Sequence, residues 1–331
     1  PTVILVTGGA GYIGSHSVKA LRVAGHEVVV FDNLSAGHRE ATLGAPLIEG
    51  DIRDVQAVRR ALRESGATAV MHFAARLVVS ESVHDPAGYY LNNVTGTLAT
   101  LEAMAAEGCR RFVFSSTCAV YGEPTSVPIS EAHPTAPVSP YGQTKLAVEQ
   151  ALPHFERAYG IRSIRLRYFN AAGADPDGEL GEDHDPEIHL IPRALDAARG
   201  GPPIELFGED YPTADGTCIR DYVHVTDLAD AHVRALGRLL SGGASATYNV
   251  GTEQPSSVRE VLAAVERVTG HRVPYTPTAR RPGDPAALYA SAARIREELG
   301  WVPQRARLET IVADAWRWHS SHPHGFRMVT R

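Results

Sequence analysis

Residues Thr7-Gly8-Gly9-Ala10-Gly11-Tyr12-Ile13-Gly14 put four glycines into eight positions, between an apolar run at Val3–Val6 and a helical pattern at Ser15–Ala24. Few other features constrain a fold so tightly. Gly9, Gly11 and Gly14 satisfy G-x-G-x-x-G, and Gly8, Gly11 and Gly14 satisfy the wider G-x-x-G-x-x-G. One glycine permits the tight turn, one lets the backbone approach a pyrophosphate, and one lets the helix pack closely on the strand. The N–H groups of the turn, including those of Tyr12 and Ile13, and the positive helix end can then hold phosphates.

The rest of the first half repeats the strand–helix alternation. Val28–Phe31, Pro46–Ile48, Ala69–Phe73, Phe112–Phe114 and Ile164–Tyr168 are short runs rich in Val, Ile and Phe without polar alternation, as strands buried on both faces require. Helical patterns lie between them at Val55–Glu64, Tyr89–Ala106 and Tyr141–Ala158. With Val3–Val6 this predicts an α/β fold: a doubly wound parallel sheet of six strands with helices on both faces, binding its ligand at the carboxyl ends of the strands. The second half is broken by Pro186, Pro192, Pro202, Pro203 and Pro212 into short elements such as Ile204–Phe207 and Tyr248–Val250, then ends in an amphipathic stretch, Leu308–His319. It reads as a smaller mixed α/β domain. The expected division is 1–170 for the nucleotide and 171–331 for the substrate, with a loop-like boundary at Asn170–Gly181 and interleaving of the two left open.

Asp32 ends the second strand 18 residues after Gly14. A carboxylate there accepts from ribose hydroxyls and repels a 2′-phosphate, which favours NAD over NADP. Asn33 beside it, Asp51 and Ile52 after the third strand, and the small residues of Phe73-Ala74-Ala75 after the fourth complete a cofactor path. Net charge is −6, with 32 basic and 38 acidic side chains, so no basic face for nucleic acid is implied. No apolar run approaches the ~20 residues of a membrane span. The three cysteines, Cys109, Cys118 and Cys218, form no CxxC pair and suit a reducing, cytoplasmic setting. No H-x-x-x-H or H-E-x-x-H pattern occurs, so no metal site is expected, and the acids of Gly178–Asp185 read as a solvated loop.

Ser115-Ser116-Thr117 follows the fifth strand. Ser139-Pro140 then opens a helix in which Tyr141 and Lys145 stand at i and i+4, on one face. A free phenol, with a pKa near ~10, is a poor base at neutral pH. A nearby ammonium would lower that value, letting Tyr141 take a proton from a hydroxyl while NAD takes hydride from the same carbon.

Together, the Thr-Gly-Gly-x-Gly-x-x-Gly turn, the strand-end Ser-Ser-Thr and Tyr-x-x-x-Lys resemble the extended short-chain dehydrogenase/reductase superfamily. Glu81-Ser82, Asn92-Asn93-Val94, Val120-Tyr121-Gly122, Leu166 to Asn170, Gly208 to Thr213, Arg220 to Val225 and Arg280 to Asp284 extend the resemblance, nearly end to end, to its nucleotide-sugar 4-epimerases. The resemblance implies a homodimer and a catalytic triad of Thr117, Tyr141 and Lys145. It adds Asn92, Ser115, Tyr168 and the triad's Tyr141 and Lys145 to the NAD contacts. It implies interconversion of UDP-galactose and UDP-glucose through a 4-keto sugar, anchored by Asn170, His189, Leu190, Phe207, Arg220, Tyr222, Arg281 and Asp284, with Thr117 on the reacting oxygen.

The chain also departs from the family pattern. Leu77 stands where some members carry a lysine, leaving Arg76 as a neighbouring cation. His189 replaces a common asparagine. Leu288 is bulky where the family makes room for an N-acetyl group, which favours plain hexoses. An N-acetylhexosamine, pentose or uronate 4-epimerase remains an alternative. A 4,6-dehydratase would need an Asp-Glu pair where this chain has Cys118-Ala119. An inactive NAD-binding regulator would have no use for an intact Thr117, Tyr141 and Lys145.

Overall fold

The computed structural model describes residues 2–327; the last four residues of the expected second unit lie outside that range. At its centre is a parallel sheet of β1 (Val3–Thr7), β2 (Glu27–Asp32), β3 (Leu47–Glu49), β4 (Ala69–His72), β5 (Arg111–Ser115), β6 (Arg162–Tyr168) and a seventh strand, Ala246–Val250. The spatial order is seventh–β6–β5–β4–β1–β2–β3. This is the doubly wound α/β class expected, with seven strands in place of six. The extra strand comes from the second half of the chain and pairs with β6. Asn249 is the reason the sequence understated it. An amide in mid-run looks half-solvated, yet Asn249 is fully buried, donating to the Ile129 carbonyl and accepting from the Tyr121 hydroxyl. A buried amide is tolerated when so paired.

Successive β1 residues face opposite sides. Ile4 and Val6 join Val18 and Leu21 of the helix Tyr12–Val23 and Leu228 and Leu236 of the helix Val225–Leu240. Leu5 joins Leu62 of Val55–Ser65, Leu101 of Gly96–Glu107 and Leu152 of Pro140–Tyr159. Both faces are therefore dry, which explains the unalternated apolar runs. The helix expected at Tyr89–Ala106 is not continuous: a π-turn, Tyr90–Thr95, separates Pro86–Tyr89 from Gly96–Glu107. Hydrophobic periodicity is insensitive to one such widened turn. The expected loop at Asn170–Gly181 begins instead as a strand, Asn170–Ala172, paired in parallel with Tyr222–His224. Leu190–Ala198, Val258–Thr269 and Leu308–Ser321 build a separate core around Leu195, Val261 and Ile311.

From β3 the chain crosses to β4 on the other side of β1. A crevice therefore opens above the carboxyl ends of β1 and β4, where Thr7 stands level with His72.

Candidate active site

The glycines of the first turn divide three tasks among them. Gly8 has φ +70, and a Cβ there would lie 2.6 Å from the Ala74 nitrogen, so Gly8 both makes the turn and lets Phe73-Ala74 close over it. At Gly14 a Cβ would fall 2.1 Å from the Gly8 carbonyl oxygen, which makes this glycine the helix–strand packing contact. Gly11 caps the helix with nothing nearer than 3.4 Å to its ideal Cβ, leaving room for a pyrophosphate. Tyr12, Ile13 and Gly14 open the helix, where N–H groups have no intrahelical acceptor. Gly9 packs against Val30 instead, so the G-x-x-G-x-x-G reading describes the turn better.

Asp32 stands at the rim of the same crevice. Its Oδ2 accepts from the Ala10 N–H at 3.0 Å and its Oδ1 from the Leu34 N–H at 2.8 Å. Burial raises its pKa and these two bonds oppose the rise. Each oxygen keeps a lone pair for a ribose hydroxyl. Asn33 accepts from the Ser35 N–H, and Asp51 is held by Arg53 at 2.7 Å, which lowers the Asp51 pKa. The side chain of Ile52 is packed in the core beneath Gly96, so only its backbone faces a ligand. Arg76 does not stand in for the missing lysine: its guanidinium is committed to Asp85 at 2.7 Å and Glu81 at 2.9 Å, above the Tyr89 ring. Asn92 donates to Asn93, which accepts from the Arg76 N–H and donates to the Arg76 carbonyl. Asn93 thus pins the cofactor loop, a positioning role that its quoted motif did not reveal. The cradle, the open Gly11 and the acid at the second strand fit NAD.

At the end of β5 the catalytic candidates meet. Ser139 caps the helix at Gly142, and the Tyr141 N–H donates to the buried Ser82 Oγ at 3.1 Å. Ser82 is a second positioning residue that sequence reasoning quoted without a role. Lys145 Nζ donates to the Ser115 carbonyl at 2.8 Å, and Ser115 Oγ donates to the Tyr168 hydroxyl at 2.9 Å. Glu149, one turn beyond Lys145, grips Arg167 of β6 at 2.8 and 2.9 Å, and Arg167 reaches Tyr121. Breaking such a buried pair by removing one partner costs about 3–5 kcal/mol. Tyr141, Lys145 and Glu149 therefore form one stripe locked to the sheet.

Burial dominates the electrostatics of Tyr141 and Lys145. Burial pushes the Tyr141 phenol well above its ordinary value, and a bond to Thr117 eases this. Burial also lowers Lys145 to about 8.

Farther along, Asp284 bridges two candidate anchors, with Oδ1 at 2.5 Å from Arg220 and Oδ2 at 3.1 Å from Arg281. The Arg281 guanidinium lies 4.6 Å above the Phe207 ring. Tyr222 stands in register with Asn170. Leu288 stands in register with Arg220, and its side chain packs against the cluster of Val120, Tyr121, Leu146 and Phe169. His189 and Leu190 lie at the start of the helix Leu190–Ala198. The His189 Nδ1 is taken by Glu182, so this side chain contributes to the loop before it contributes to a ligand. That loop is solvated only in part: Glu179 and Asp185 are exposed as expected, whereas Glu182 and Asp183 are not. Glu182 is 3% exposed, and Asp183 pairs with His38. Glu182 and Asp183 fold inward because His184, His189 and His38 lie within reach to pair with them.

The matched family model is described as "NAD dependent epimerase/dehydratase family" and covers residues 4–251. A UDP-glucose 4-epimerase from Halalkalibacterium halodurans is 49% identical over 324 residues, 98% of this chain and 97% of that protein. The crystal structure of UDP-glucose 4-epimerase from Brucella ovis in complex with NAD matches with a TM-score of 0.94 at 49% identity, covering 96% of this chain and 98% of that one. The enzyme from Bifidobacterium longum, in complex with NAD+ and UDP, matches with a TM-score of 0.92 at 37% identity, covering 98% and 100%. A family model spanning residues 4–251, together with relatives about half identical along nearly the whole chain, makes this protein a member of the NAD dependent epimerase/dehydratase family.

Proposed function

We propose that the chain interconverts UDP-galactose and UDP-glucose by epimerisation at C4. The observation that carries this is the placement of Tyr141, Thr117 and Lys145 at the end of β5, in the same crevice as the glycine cradle, with the Arg220–Asp284–Arg281 cluster on the second half of the chain. Bound NAD supplies the hydride acceptor at C4 and, through its cationic nicotinamide, the charge that burial denies a phenolate. The protein manages the proton and the tether. Tyr141 takes the proton from O4 and returns it once the sugar has turned, and Thr117 holds that oxygen. Arg220 and Arg281 bind the diphosphate by charge-assisted bonds, while Asp284 accepts from the ribose. Phe207 packs on the uracil and Asn170 on the diphosphate region. Tethering keeps the 4-keto sugar in place while it rotates. Leu288, bulky where the family makes room for an N-acetyl group, favours a hexose without one. Cys118-Ala119 offers no acid–base pair for dehydration.

Purified protein given UDP-galactose and no added NAD is expected to form UDP-glucose until the two reach equilibrium, read by chromatography of the nucleotide sugars. Absence of conversion with hexose, N-acetylhexosamine and pentose substrates alike, in protein that carries NAD, would reject the reading.

The helices Gly96–Glu107 and Pro140–Tyr159 present Leu98, Ala105, Ala106, Phe155 and Tyr159 around an open cleft, and Leu91 and Tyr159 are 48% and 50% exposed. Pairing this face with its copy would cover these side chains, and a homodimer is the assembly we assign. Light scattering on the wild type is expected to give twice the chain mass of 35.6 kDa. The Phe155→Glu variant is expected to give the monomer mass. The free, largely buried cysteines and a nucleotide-sugar substrate suit the cytoplasm.

A further inference from the structure

Among the described residues there are two clusters of metal-type ligands, one of which includes the candidate anchor His189, and they differ in one respect. Asp175, Asp177 and Glu179 already hold a cation, because Lys19 Nζ sits 2.8 Å from each of them. Glu182, His184, Glu187 and His189 have no such occupant: among the described residues, no lysine or arginine pairs with either glutamate. Their four ligand atoms lie within 4.8 Å of one another. Both histidines direct Nδ1 at the same oxygen, Glu182 Oε1, and His184 does so at 3.1 Å. Both also stand 3.7 Å from Glu187, His184 from Oε2 and His189 from Oε1.

We propose that Glu182, His184, Glu187 and His189 form a binding site for a zinc-type divalent cation. Zinc takes imidazole nitrogen and carboxylate oxygen at about 2.0–2.2 Å, so neighbouring ligands of a tetrahedral ion stand about 3.3 Å apart. The His184 separations of 3.1 Å from Glu182 and 3.7 Å from Glu187 bracket that value, and His189 Nδ1, in direct contact with Glu182 Oε1, would draw back to admit the ion. Two neutral imidazoles and two carboxylates carry the −2 that a dication cancels, and the imidazoles select against magnesium and calcium. The outer contacts are also present. The Ile188 and His189 N–H groups both donate to Glu187 Oε1 at 2.9 Å, fixing that carboxylate, and the Tyr12 ring meets His184 edge-on at 6.0 Å. Entry is open through a cleft of about 700 Å³ lined by Glu182, His184, Glu187 and His319.

The ion would join three parts of the molecule: the loop 182–189, the start of the helix Leu190–Ala198, and Tyr12 of the cofactor turn through its contact with His184. It would thus brace the cofactor turn against the substrate-side helix. The spacing E-x-H-x-x-E-x-H carries the signal, but not at the helical interval that a search for zinc motifs uses.

The test uses tag-free, NAD-loaded protein, stripped with EDTA and titrated with ZnCl2 in a calorimeter, with bound zinc then measured by mass spectrometry. The expected result is one zinc per chain with a dissociation constant in the micromolar range or tighter, together with a rise in melting temperature. The double variant His184→Gln/Glu187→Gln, at the cleft side of the cluster, is expected to weaken binding at least 100-fold. Glu182→Gln is expected to do the same, and the double variant keeps the test decisive should the buried substitution not fold. No saturable zinc in the wild type, or equal zinc in wild type and double variant, would overturn the site and leave the four side chains as a histidine–glutamate ion-pair network.

Discussion

Tyr141→Phe is expected to lower turnover of UDP-galactose by about 10³-fold, within the ~10²–10⁴-fold range for loss of a general base, and to leave the NAD content per chain unchanged. The separation follows from where the side chain is held. The Tyr141 backbone N–H is fixed by Ser82 Oγ, its ring is buried against the strand ends, and neither contact needs the hydroxyl. What the variant loses is the one oxygen beside Thr117 that can take the proton from O4 and return it. Initial rates measured alongside the absorbance of released NAD would report both quantities. A variant within tenfold of the wild-type rate would mean that another group, with the Tyr168 hydroxyl the nearest in kind, carries the proton.

Gly14→Ala is expected to yield protein with less than a tenth of the wild-type NAD content, a melting temperature lower by several degrees, and no measurable turnover. A Cβ at Gly14 would sit 2.1 Å from the Gly8 carbonyl oxygen and 3.0 Å from the Gly9 Cα. Both obstacles are backbone, so neither can swing aside. Overpacking of this kind costs about 1–3 kcal/mol, and the relief available is to push the helix off the turn that forms the cradle. Gly11→Ala is the control. Its Cβ meets nothing closer than 3.4 Å, so this variant should melt like the wild type and lose only cofactor affinity. Equal melting temperatures for Gly14→Ala and the wild type would show that the close approach is not a packing constraint.

Much of this site was legible in the chain because its signals are local. The glycine turn, the acid at the end of β2 and the i, i+4 pair of Tyr141 and Lys145 each depend on backbone geometry within a few residues. The structure brings the cradle, Asp32 and the pair into one crevice. The candidate anchors Arg220, Arg281 and Asp284 were different. Each is an ordinary surface residue by pattern, and only the resemblance singled them out; their convergence on Asp284 needs the fold. Asn93 and Ser82 lay in quoted motifs without an assigned task, because what they do is bond the backbone of residues 17 and 59 positions away.

From its own residues the chain determined the doubly wound class, the glycine turn fitted to a dinucleotide and the helix that carries Tyr141 and Lys145, since periodicity, glycine geometry and capping act over one or two turns. Tertiary structure decided the rest. It drew Ala246–Val250 into the sheet by satisfying Asn249 with Tyr121 and Ile129. It set the proton affinities of Tyr141 and Lys145 through burial, which depends on what covers them. It turned Arg76 away to Asp85 and Glu81, and it folded Glu182 inward onto two histidines. Each of these is a matter of electrostatics or desolvation between groups distant in sequence or covered by the fold, and no pattern along the chain encodes how much water they lose.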